Sequence, residues 1–114
     1  MIIRSAVLEG EVAAADVEKF DAHMRDIVLP AIADYPGLLS VSLRKMAEPE
    51  AGAPPVYMIF DLHFADLAAM HTALASDVRQ AVRKVIGEGM SLFKGKVYHL
   101  VLDETDKIDG SSPA

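Results

Sequence analysis

VLPAIADYPGL, residues Val28–Leu38, sets a proline inside a helical pattern and closes that pattern with Pro-Gly. Upstream of it, Val17, Phe20, Met24, Ile27, Val28, Ala31 and Tyr35 recur at steps of three and four, the apolar stripe of a helix running from about Ala13 to Tyr35. Pro30 has no N–H to give the Asp26 carbonyl, and its ring crowds that turn, so the helix is expected to kink or loosen between Asp26 and Pro30. Tyr35 precedes Pro36, which pushes it out of helical geometry; the helix should stop at Asp34 or Tyr35. Gly37 then permits a sharp reversal into a strand. The stretch is therefore a helix-to-strand junction.

Working outward, Leu39, Val41 and Leu43 alternate with Ser40, Ser42 and Arg44, a half-buried strand. The turn-rich run Ala47–Pro55 leads to a second alternation, in which Val56, Met58, Phe60, Leu62 and Phe64 are interleaved with Tyr57, Ile59, Asp61 and His63. Asp66 is a good N-cap for a second helix, with Leu67, Met70, Leu74, Val78, Ala81, Val82 and Val85 on its apolar face and Gly87 and Gly89 ending it. Lys96–Leu102 reads as a last strand, and Ile2–Leu8 as a first one closed by Glu9, Gly10 and Glu11.

The order is strand–helix–strand twice over, the ferredoxin-like βαββαβ arrangement of an α+β protein. Right-handed crossovers put both helices on one face of a four-stranded antiparallel sheet. The other face, with Ile59, Tyr57 and Leu100, is left to water, so a homodimer joined through the open faces is expected. The domain spans residues 1–102, and residues 103–114 form a polar tail.

With 114 residues the chain makes one domain. Hydrophobic residues at 52% exclude disorder by composition, and a net charge of −6 argues against nucleic acid and anionic membrane surfaces as partners. The absence of cysteine removes disulfides, thiolate chemistry and Cys-based metal sites. MIIRSAVL is too short for a signal-peptide core, and no apolar run is long enough to span a bilayer, so a cytoplasmic protein is expected. The four histidines show no metal-ligand spacing, and neither glycine-rich phosphate loops nor G-x-S-x-G occur.

His71 lies beside the second helix's apolar stripe and is expected to point toward the sheet, as an acid–base group of a pocket or as a satisfied core histidine. Asp61 and His63 share one side of their strand with Ser42 and Arg44, and Arg4 is expected on that same face, where they orient a small polar substrate or form paired charges at an interface. His99 shares a face with Val97 and Val101 and enters the pocket if that face meets the helices. Tyr35, Tyr57 and Tyr98 offer phenols to a ligand or to packing. Met24, Met58 and Met70 are cavity lining or core filler, and His23 borders the pocket mouth or the surface.

Two stretches, LPAIADYPGL (Leu29–Leu38) and DLHFADLAAMHTALASDVRQAV (Asp61–Val82), resemble the dimeric α/β-barrel superfamily, most closely the EthD-like proteins, with features of the antibiotic-biosynthesis-monooxygenase type. The resemblance covers about residues 1–102. It departs at Val28, where EthD-like proteins commonly carry a histidine, whereas His71 matches a helix-two histidine of monooxygenase-type and haem-handling members. It implies a homodimer that binds a mostly apolar or aromatic small molecule at Tyr35, Asp61, His63, His99 and Met70, with His71 as acid or base and no cofactor. Cofactor-independent oxidation is one implied activity. A non-enzymatic accessory or stress-responsive barrel is the alternative, and haem binding through His71 ranks below both.

Overall fold

Ile2–Val12 (β1) crosses the middle of the sheet in the computed structural model, which describes residues 1–111. The strand outruns the expected Ile2–Leu8 because Gly10 does not break it. Gly10 pairs with Gly95, and a Cβ on either would stand 2.1 Å from a carbonyl oxygen of the opposite strand. The two glycines allow the backbones to close on each other, and Glu9–Val12 continues to pair with Phe93–Lys96. The last strand accordingly runs Phe93–Asp103 rather than Lys96–Leu102.

The first helical region divides where Pro30 requires it. Val17–His23 (α1) is α-helical, Met24–Val28 is a π-helical turn, and Leu29–Ala33 (α2) resumes the α-helix. The Leu29 N–H donates to the Met24 carbonyl, five residues back. The chain thus absorbs the proline by widening one turn, not by a sharp bend. Asp34 caps α2, the Tyr35 N–H donates to the Ile32 carbonyl at 3.1 Å, and Gly37 takes φ +77° on the way into Leu38–Lys45 (β2). A register shift between Leu38 and Ser40 turns Leu39 out to solvent, so Leu38, Val41 and Leu43 supply the inward face of β2.

Val56–Phe64 (β3) pairs with both β2 and β1. The irregularity opposite Leu8 and Glu9 makes Tyr57 an extra residue and rolls it to the helix side, correcting its expected place on the open face. There its ring meets Phe20 edge-on at 5.7 Å, and its hydroxyl donates to Asp21 Oδ1 at 2.6 Å.

The second helical region is two helices, Leu67–Leu74 (α3) and Val78–Gly89 (α4), where one was expected. Asp66 caps α3 as expected, its Oδ1 accepting from the Ala69 N–H at 2.8 Å. The break comes at Ser76, whose hydroxyl and N–H both donate to the Ala73 carbonyl, at 2.6 and 3.1 Å. A serine that bonds back in this way competes with the helical ladder.

The strand order is β2-β3-β1-β4, with Phe93–Asp103 as β4 and all neighbours antiparallel. The helices pack on one face, giving the expected ferredoxin-like α+β layers. The core lies between them around Phe20, which stacks on Phe93 at 5.9 Å. The opposite face presents Val7, Ile59, Asp61, His63, Leu100 and Leu102, and no described element covers it. After Asp103 the chain is exposed and carries no regular structure through residue 111. Residues 112–114 of the expected polar tail lie outside the described residues. Among the described residues no helix is long and apolar enough to cross a membrane.

Candidate ligand cavity

Between the sheet and the helices, beside the widened turn, lies a cavity of about 370 Å³. Its floor is sheet: Ala6 and Leu8 from β1, Phe60 and Leu62 from β3, and Val97 from β4. Its walls are Met24 of the π-helical turn, Ile32 of α2, Val82 and Ile86 of α4, and Met90 just beyond α4. These are apolar side chains, and the size falls within the roughly 300–1,000 Å³ of small-molecule pockets.

Five polar side chains enter this apolar chamber: Arg4, Tyr35, Arg79, Arg83 and His99. Arg4 sits on β1 opposite Leu62 and Val101, which puts it on the helix side of the sheet. That corrects its expected place beside Asp61. The alternation Arg4, Ala6, Leu8 already carried this signal, since Arg4 shares the parity of Leu8. His99 pairs with Ala6 and projects to the same side. Arg79 and Arg83 are one turn apart on α4 and flank Val82. Tyr35 is buried just past α2. The sequence pattern singles out neither Arg79 nor Arg83, since both lie off the apolar positions counted for this helix.

The electrostatics are one-sided, for no Asp or Glu lines the cavity. Burial first and then the charge of Arg79 lower the Arg4 guanidinium from its usual value; Tyr35 opposes this, and Arg83 adds a smaller lowering. Burial first, then Arg4 and Arg79, pull the His99 imidazole below its ordinary range, so it is neutral at physiological pH. Burial raises the Tyr35 phenol, although the three arginines oppose the shift. The cavity therefore offers one unprotonated imidazole nitrogen, one phenolic O–H and three guanidiniums.

Asp61 and His63 lie on the other face of the sheet. Ser5 Oγ donates to Asp61 Oδ1 at 2.6 Å, while Arg44 donates through Nε to Oδ2 and through Nη2 to Oδ1 at 3.3 Å. Burial would raise the Asp61 carboxyl. The Arg44 and Ser5 hydrogen bonds, with the charges of Arg44 and His63, outweigh it and hold the group below its usual value.

Met70 is a core residue of α3 and is not part of the cavity wall. His71 is exposed and lies outside the cavity, against the expectation that it points toward the sheet. Of the expected stripe, Met70 is buried and Leu74 packs against the core, but Leu67 is 49% exposed and Ala73 takes the fully buried place, so His71 faces away. His23 is structural. Its Nε2–H donates to the Val85 carbonyl at 2.6 Å, and its ring lies so close to Gly89 that a Cβ there would come within 2.6 Å of it.

A haem bound through His71 does not fit this arrangement, since that imidazole is remote from the chamber that would hold the macrocycle. Among the described residues no cluster of His, Asp or Glu has the grouping of a metal site.

No protein-family model and no curated protein matches the chain. Solved structures do. An EthD family protein from Bacillus halodurans aligns over 92% of this chain and 100% of its own, with TM-score 0.73 and 18% identity. An antibiotic biosynthesis monooxygenase aligns over 93% and 100%, with TM-score 0.60 and 12% identity. A variant of SnoaB, a cofactor-independent oxygenase from Streptomyces nogalater, aligns over 96% and 97%, with TM-score 0.61 and 15% identity. At these identities the likeness is one of fold, and this chain has the ferredoxin-like fold that EthD and antibiotic-biosynthesis-monooxygenase-type proteins share.

Proposed function

We propose that this chain is a cytoplasmic homodimer that binds a small, mostly apolar or aromatic metabolite in the cavity and oxidises it without a cofactor. The observation that carries this reading is the cavity itself: an apolar chamber of about 370 Å³ with a neutral imidazole and a phenol inside it. The fold shared with SnoaB, a cofactor-independent oxygenase, supports the reaction class.

In such chemistry the ligand supplies the electrons and dioxygen is the oxidant. His99 takes the proton of an acidic C–H bond, leaving its electron pair on carbon. That carbanion reduces dioxygen with formation of a C–O bond, and His99 returns the proton to the peroxide oxygen, giving a hydroperoxide with every atom of R–H and O2 retained. The Tyr35 O–H donates to a ligand carbonyl and fixes its orientation. The acid–base role goes to His99 and not to His71, because proton transfer needs hydrogen-bond reach of the ligand.

The dimer rests on the open sheet face. Val7 is 3% exposed yet stands apart from the helix-side core, and Leu100 and Leu102 beside it are 43% and 50% exposed. A second copy covering this strip would bury it, and sedimentation at micromolar concentration should give a dimer.

The test of the reaction is oxygen uptake with anthrone, a compact aromatic carbon acid. Uptake should require the protein and fall at least about tenfold in His99→Phe, while anthrone binding persists. Binding without uptake in either protein would favour the second reading, a non-enzymatic accessory barrel. The observation behind that alternative is Val28, fully buried in the core at the position where the resemblance carries a histidine.

A further inference from the structure

We propose that the ligand of this cavity enters as an anion: a compact apolar molecule with one carboxylate, which Arg4, Arg79 and Arg83 hold against the sheet. This rests on the cavity being the ligand site and names the class of molecule it takes.

The chain has 17 acidic against 11 basic side chains, and its two arginines outside the cavity both find a carboxylate. Arg25 pairs with Asp26, Arg44 with Asp61, Lys45 with Asp21 and Lys96 with Glu9. The three cavity arginines are in none of the ion pairs among the described residues. They meet one another instead. Arg79 and Arg83 repel at one-turn spacing, and Arg4 approaches both from the sheet under partial burial. Neither His99 nor Tyr35 supplies a negative charge at neutral pH. Arg4 and Arg79 are half-buried and Arg83 is exposed, so the cluster stays solvated, yet three like charges converging on one apolar cavity favour an anion there.

The chemistry of the wall narrows the ligand further. The surfaces around the arginines are Leu8, Phe60, Val82 and Ile86, which suit a hydrocarbon or aromatic body and leave few partners for a polyol or a nucleotide. A guanidinium matches a planar carboxylate by two parallel N–H···O bonds, and Arg4 from the strand and Arg79 and Arg83 from the helix border the same cavity. The ligand class is an aromatic or alicyclic carboxylic acid.

The experiment is calorimetric titration of the full chain with 2-naphthoate and with 2-naphthamide, equal in shape and different in charge. The acid should bind at least roughly tenfold more tightly than the amide. That preference should shrink in Arg4→Met and Arg79→Met, and should fade as salt is raised on the wild-type protein. Arg83 is exposed, so Arg83→Gln removes a charge without risk to the fold and should lower the preference as well. Equal binding of the two probes, or a preference that neither salt nor Arg83→Gln moves, overturns the anionic ligand while leaving an apolar cavity ligand in place. Failure of both probes to bind removes the cavity reading together with it.

Discussion

The two faces of the sheet treat arginine in opposite ways. On the open face, Arg44 reaches over β3 to Asp61, which Ser5 holds from β1, so one carboxylate receives donors from both neighbouring strands. On the helix face, Arg4 lies one residue from Ser5 and meets Arg79 and Arg83. Adjacent positions on β1 thus serve a paired network and a like-charged, unpaired cluster. A satisfied network ties strands together. A like-charged cluster that still reaches water costs a little stability and favours an anion at that place.

The largest expected effect comes from breaking the satisfied side. Asp61→Ala strips Ser5 and Arg44 of their shared acceptor and should destabilise the fold by about 1–3 kcal/mol in chemical denaturation. The figure stays below that of a fully buried pair because Arg44 is itself 62% exposed and can turn to water. The mirror change, Arg4→Met, should leave stability level or raise it. Equal losses at both positions would mean that Arg4, too, is a structural residue and that the contrast between the faces is empty.

Acid should separate the two faces on the pH axis. His99 has a folded value below that of the unfolded imidazole, so the unfolded chain takes up a proton that the folded one refuses. Stability therefore falls as pH drops through the ordinary imidazole range near 6.5 and levels off below the folded value. Arg4 on β1, Arg79 and Arg83 on α4 and Tyr35 after α2 are the groups that face it. Asp61 is depressed as well, but for a carboxylate this means stability that is complete above about pH 4 and lost as pH falls through the folded value. Two steps should appear in urea denaturation followed against pH. His99→Gln should flatten the upper step alone, and Asp61→Asn the lower step alone. Loss of both steps from one substitution would contradict the separation of the faces.

What the sequence made legible follows from how local each signal is. Pro30, Pro36 and Gly37 act through their own backbones, so the loosened turn, the helix end and the reversal into β2 were readable from Val28–Leu38. The βαββαβ order was readable for the same reason. Features that depend on a partner strand were hidden: Gly10 looks like a breaker until Gly95 stands opposite it, and Tyr57 keeps step with Ile59 until the bulge turns it over. The site was half legible. Tyr35 and His99 reach the cavity, whereas His71 falls outside it because the break at Ser76 makes α3 a short helix with its own buried line. The arginines escaped notice because a charged residue on a helix is normally a solvated one, and only the fold shows that these two look across at a third.

The smallest expected effect tests that last point most directly. Arg79→Gln keeps the helix propensity of the position and the reach of the side chain while removing one of three like charges. At one-turn spacing from Arg83 the lost repulsion is about 0.2–0.5 kcal/mol, and Arg4 adds to it from the sheet. Without ligand the variant should therefore unfold at slightly higher denaturant than the wild-type protein, and the gap should close in high salt, which screens the same repulsion. With saturating 2-naphthoate the order should reverse, because the wild-type cavity gains more from the bound anion than the variant does. A surface arginine of no consequence to binding would show at most the small gain, from its spacing to Arg83, but not the reversal. A substitution that stabilises the empty protein and weakens the filled one marks a group kept for what it binds.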